Sequence, residues 1–85
     1  MSLRLHYDVS TATTVDGIVL LNERSGRYWQ LNQSGSATLR SLLNGDSPAT
    51  AAQNLAATYD ISLARAAADV DALVAALRTA ALVIS

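Results

Sequence analysis

The sequence predicts an α+β domain of winged helix-turn-helix type: a three-stranded antiparallel sheet followed by three helices. Two observations predict it. Up to Asn32, apolar residues recur with period two among β-branched and aromatic side chains; beyond it they recur at helical spacing in an alanine-rich chain. Three strands and then three helices, the last two separated by a tight turn, place a helical layer against one sheet. With 85 residues, 51% of them hydrophobic and 15% charged, the chain is read as one folded domain, 1–85.

The first strand is predicted over 3–9, with Leu3, Leu5 and Tyr7 on one face and Arg4, His6 and Asp8 on the other. The Thr-rich run 10–15 reads as a connection and Asp16-Gly17 as a turn. A strand over 17–22 is apolar on both faces at Ile18, Val19, Leu20 and Leu21, which makes it central. Residues 22–26 form a hairpin connection. The strand over 27–31 then sets Arg27, Trp29 and Leu31 on one side and Tyr28 and Gln30 on the other, at an edge of the sheet.

Asn32 is an N-cap for a helix over 33–43, whose stripe is Leu39, Leu42 and Leu43 with Ala37 and Thr38; Asn44-Gly45 ends it. Ser47 and Pro48 open a second helix over 48–58, burying Ala51, Ala52, Leu55 and Ala56. Tyr59-Asp60-Ile61 is a turn, and Ser62 caps a third helix over 62–80. On that helix Leu63, Ala66, Ala67, Val70, Leu73, Val74 and Leu77 share an arc of about 120°. Asp69 borders one edge of the arc beside Leu73, and Asp71 and Arg78 border the other. The tail Leu82-Val83-Ile84 is expected to pack back on the core.

Chemistry-bearing motifs are few. One His and no Cys leave no ligand set for zinc, and no glycine-rich phosphate loop, nucleophile elbow or His-Glu-x-x-His motif occurs. Asp69 and Asp71 point about 160° apart on a helix, so they form no carboxylate pair. The expectation is no catalytic residue, no metal and no cofactor. A winged helix-turn-helix raises DNA binding, yet the chain has six Arg, no Lys and a net charge of −1, and the third helix sets Arg65 and Arg78 against Asp69 and Asp71. That charge pattern is poor for phosphate contacts, and no nucleic-acid partner is expected. No run approaches the roughly 18 apolar residues of a membrane span, and the start Met1-Ser2-Leu3-Arg4 has no signal-peptide core. The expectation is a cytoplasmic domain with no membrane partner.

An interaction module remains, either for peptides or for a folded protein partner. The edge strand over 27–31 lacks Pro and Lys, the residues that usually block strand addition, and could accept an extended peptide. The plainer alternative makes Trp29, Leu31, Val70 and Leu73 core residues, with the tail covering the edge.

The run Gly26-Arg27-Tyr28-Trp29-Gln30-Leu31-Asn32, then Gly35 and Leu39-Arg40-Ser41-Leu42-Leu43, resembles the PqqD-like family, as does Asp69-Val70-Asp71-Ala72-Leu73-Val74-Ala75-Ala76-Leu77 followed by Leu82-Val83. That family supplies leader-recognition elements for ribosomally made, modified peptides. Among its members the chain is most similar to the stand-alone leader-binding proteins of lasso-peptide biosynthesis. The resemblance implies binding without catalysis. The leader of a precursor peptide would add antiparallel to the strand over 27–31, through Arg27, Tyr28, Trp29, Gln30 and Leu31. The helix over 62–80 would supply an apolar wall of Val70, Leu73 and Leu77. Periodicity leaves open which edge of that helix faces the groove; the Asp69/Leu73 edge is chosen, because an acid beside an apolar slot suits a leader carrying Lys near an aromatic anchor. The implied partners are a separate cysteine-protease-like leader peptidase and an ATP-dependent macrolactam cyclase. The sequence departs from the family at Ala81, where a Gly usually precedes the final Leu-hydrophobic pair.

Overall fold

A computed structural model describes residues 3–84. The chain runs β1 (Arg4–Leu5), β2 (Val9–Thr14), β3 (Gly17–Asn22), β4 (Tyr28–Gln30), α1 (Gln33–Leu43), α2 (Pro48–Tyr59), α3 (Leu63–Thr79) and β5 (Val83–Ile84). Strands β2, β3 and β4 form an antiparallel sheet in that order, and three helices follow it, as expected. The central place of β3 follows from its sequence: Ile18 and Leu20 are buried, and both edges of the strand are paired.

The N-terminal third differs from its expected form. Strand 3–9 is broken, because the Val9 N–H donates to the His6 carbonyl at 2.9 Å and the Asp8 N–H to His6 Nδ1 at 3.2 Å. These bonds close a turn that throws Tyr7 outward, 81% exposed and stacked on His6. Leu3 and Leu5 still face the core, but β1 pairs with the C-terminal β5, Leu5 opposite Val83. The first strand of the meander is instead the Thr-rich segment read as a connection. It pairs residue for residue with β3, from Val9 opposite Asn22 to Thr14 opposite Gly17. Threonine suits a strand even where nothing covers it, and almost all of β2 is exposed.

The helices begin where their caps predict. The side chains of Asn32, Ser47 and Ser62 accept from the N–H groups of Gly35, Thr50 and Arg65. The α1 stripe is shifted: Ser36, Thr38, Leu39 and Leu42 are buried, whereas Ala37 and Leu43 are exposed. On α3 the core side is Ala66, Val70, Val74 and Leu77, and Leu63 in the first turn is exposed. Leu82 and Val83 are buried, so the tail packs on the core, but at β1 rather than over β4.

Two backbone positions fix the ends of this arrangement. Gly17 has φ +140° and lies against the end of β4; a Cβ there would overlap the Leu31 carbonyl oxygen and stand 2.6 Å from Ser36 Oγ. Ala81 has φ +58°, in the left-handed region. Its N–H donates to the Arg78 carbonyl and the Leu82 N–H to the Leu77 carbonyl, a bond pair that closes a helix with a left-handed residue just past its cap. The same pair closes α1, where Gly45 holds the equivalent place. The departure at Ala81 therefore keeps the helix end and adds strain.

Gly17→Ala is expected to destabilise the domain by more than about 3 kcal/mol in urea unfolding, because backbone rather than a mobile side chain blocks the added carbon. Ala81→Gly is expected to act in the opposite sense. Relief of a left-handed alanine, about 1–2 kcal/mol, outweighs the roughly 0.4–1 kcal/mol of extra unfolded-chain freedom, so the urea midpoint should rise.

Candidate functional site

Strand β4 is paired on one side only. Cross-strand partners are Val19 with Gln30, Leu20 with Trp29 and Leu21 with Tyr28. The Leu31 N–H donates to the Ile18 carbonyl at 2.8 Å and the Asn22 N–H to the Arg27 carbonyl at 2.9 Å. Bonded residues alternate along an antiparallel pair, so Arg27, Trp29 and Leu31 direct their main-chain groups to β3. Tyr28 and Gln30 direct theirs to the other side, where no strand pairs with β4 among the described residues.

Side chains sort by the same parity. Trp29 and Leu31 pack against the core on the helix side, whereas Tyr28 lies on the outer face, 71% exposed. The Arg27 guanidinium carbon sits 5.4 Å from the centre of the Trp29 ring, within cation–π range.

The end of β4 is anchored by α1. Ser36, fully buried, accepts the Ile18 N–H at 2.7 Å and donates to the Leu31 carbonyl at 3.3 Å. Past this anchor the surface opens into two adjoining depressions. One, about 630 Å³, is lined by Gln30, Leu31 and Asn32 with Asp16 and Tyr59. The other, about 560 Å³, lies between the first turn of α1 and the α3 edge bearing Arg65, Asp69, Ala72 and Leu73; Leu55, Tyr59 and Ile61 add to its lining. Asn32, Ser34 and Tyr59 border both, so the two form one groove.

The structure thus gathers Gln30, Leu31, Asp69 and Leu73 around one groove, with Arg27 and Trp29 stacked farther along β4. Val70 and Leu77, expected in the apolar wall, are 1% and 3% exposed and pack in the core. Three residues on, Leu73 lies about 60° around the helix axis from Val70, enough to bury Val70 and leave Leu73 half-covered. The sequence reading missed Tyr59, Ile61 and Asn32 as groove residues. A large apolar pair flanking Asp60 in a short turn was the available signal, since such turns are ordinarily polar. Arg65 and Asp69 approach to 4.0 Å, but with side chains 72% and 56% exposed the pair is weak. No three His, Cys, Asp or Glu side chains gather as a metal site among the described residues. No helix among them is long and apolar enough to cross a membrane.

Comparison with known proteins gives concordant results. The profile of the family described as coenzyme PQQ synthesis protein D (PqqD) matches residues 17–83. The fold is similar to a lasso peptide synthetase B1 complexed with the leader peptide, at TM-score 0.94 and 39% identity, each chain covered over 100% of its length. It is also similar to TbiB1 in complex with the TbiA(beta) leader peptide, at TM-score 0.85 and 25% identity, over 94% of this chain and 93% of that one. No curated protein sequence matches.

Proposed function

The chain belongs to the PqqD family, and on that premise we propose that it is a non-catalytic module that binds the leader segment of a ribosomally made precursor in lasso-peptide biosynthesis. The observation that carries this reading is the unpaired edge of β4 beside the groove that Leu31 and Leu73 help to line. An extended leader running antiparallel to β4 bonds to the main-chain groups of Tyr28 and Gln30. Its side chains on the helix side meet Trp29 and Leu31 and then the Asp69/Leu73 edge of α3. Both similar solved proteins hold leader peptides, which supports the same ligand class here.

Binding of this kind leaves the chemistry to other proteins. The bound leader is presented to a separate cysteine-protease-like peptidase, and an ATP-dependent cyclase acts on the released core, all in the cytoplasm. A domain that fixes the leader raises the local concentration of the scissile segment for its peptidase.

Titration with the leader peptide of the 39%-identical B1 protein is expected to shift Trp29 fluorescence. Leu73 is only half-buried, so Leu73→Asp should keep its helical circular dichroism while binding that leader at least about tenfold, or 1.4 kcal/mol, more weakly. Asp69→Asn should weaken binding less, and more at low salt than at high salt. Unchanged affinity in a folded Leu73→Asp variant would place the peptide elsewhere.

A further inference from the structure

We propose that Arg27 is a specificity-determining residue, whose guanidinium reads an acidic side chain four residues C-terminal to the leader residue opposite Leu31. The inference rests on the leader-binding reading above and adds a register to it. With Tyr28 and Gln30 as the bonded residues of the open edge, Arg27, Trp29 and Leu31 become the non-bonded positions facing an added strand. At such positions paired side chains point to the same face and stand closest. An antiparallel peptide therefore sets residue i opposite Leu31, i+2 opposite Trp29 and i+4 opposite Arg27, all on the helix side.

The three positions differ in chemistry. Leu31 borders the groove and Trp29 packs against the core, so i and i+2 face apolar surface. Arg27 is exposed, has no ion-pair partner among the described residues, and is held 5.4 Å over the Trp29 ring. Stacking restrains the long side chain and leaves its N–H fork for a carboxylate. At the opposite end of the groove Arg65 and Asp69 partly neutralise each other. The uncompensated positive charge thus lies where the leader continues toward its core peptide, with Asp16 at the Leu31 end of the groove.

The test uses the leader peptide of the 39%-identical B1 protein, fluorescently labelled, with Glu, Gln or Lys walked through it one position at a time. Coupling to Leu31→Ala in double-mutant cycles identifies position i. The wild-type protein should prefer Glu over Lys at i+4 by about three- to tenfold, less as salt is added. Arg27→Gln should abolish the preference, and Arg27→Glu, checked for folding by circular dichroism, should invert it. A folded Arg27→Glu that still prefers Glu at i+4, or a charge preference at another position that ignores Arg27, overturns the proposal. Failure of the wild-type protein to bind any peptide in the set instead overturns the leader-binding reading beneath it.

Discussion

Ser36 Oγ receives the Ile18 N–H and donates to the Leu31 carbonyl, and these two bonds hold the start of β3, the end of β4 and the first turn of α1 at one buried point. Ile18 and Leu31 face each other across the sheet, and the hydroxyl bridges the N–H of one to the C=O of the other; a buried donor or acceptor left unpaired costs about 1–3 kcal/mol. Gly17 allows the approach, since any side chain there would occupy the space of the Leu31 carbonyl. The turn out of β4 is fixed by this contact, and Asn32 then caps α1 directly, its side chain bonded to the Gly35 N–H at 2.9 Å. Leu31, Asn32 and Ser34 line the groove because the chain is pinned at Leu31 and again at Ser36.

The open edge of β4 depends on where the termini go. An apolar tail after a long helix is a ready cover for an unpaired strand. Here the left-handed turn at Ala81 sends Leu82 inward and aligns Val83 and Ile84 with Leu5 and Arg4. The His6 N–H bond to the Leu82 carbonyl, 2.9 Å, extends that pairing. The tail's hydrogen bonds are thus taken up by the N-terminus, and β4 keeps its edge. Strain at Ala81 has a structural counterpart in an accessible strand.

Much of this was legible in the sequence, and the misses have particular causes. The strand around Tyr28–Gln30 and the helices were readable because side-chain period, cap residues and turn residues agreed with one another. Asp69 and Leu73 border the depression between α3 and the first turn of α1. Strand β2 was hidden because neither of its faces is covered, so Val9–Thr14 carries no apolar alternation to betray it. The strand over 3–9 had the alternation, but a local bond from Val9 to His6 outweighed it. Helical periodicity groups Val70 and Leu77 with Leu73 without locating the boundary between core and surface. Ser36 is a small hydroxyl on a helix face, and nothing in its neighbourhood distinguishes a buried relay from a solvated serine.

The shortness of β4 bears on how selectivity must arise. Its free edge offers four main-chain groups, the N–H and C=O of Tyr28 and of Gln30. At about 0.5–1.5 kcal/mol net per hydrogen bond, they contribute about 2–6 kcal/mol. Fixing the backbone of the five peptide residues that span Arg27 to Leu31 costs about 1–2 kcal/mol each, as much or more. A ladder this short therefore confers direction and register without net affinity. On the proposed reading, affinity comes from apolar side chains buried at Leu31, Trp29 and Leu73, at about 1.5–3 kcal/mol for each one fully covered. Main-chain pairing is indifferent to sequence, whereas the contacts proposed at the groove and at the stacked Arg27 are not. On the leader-binding reading, a domain built this way would reject most extended peptides although its edge is open to all of them.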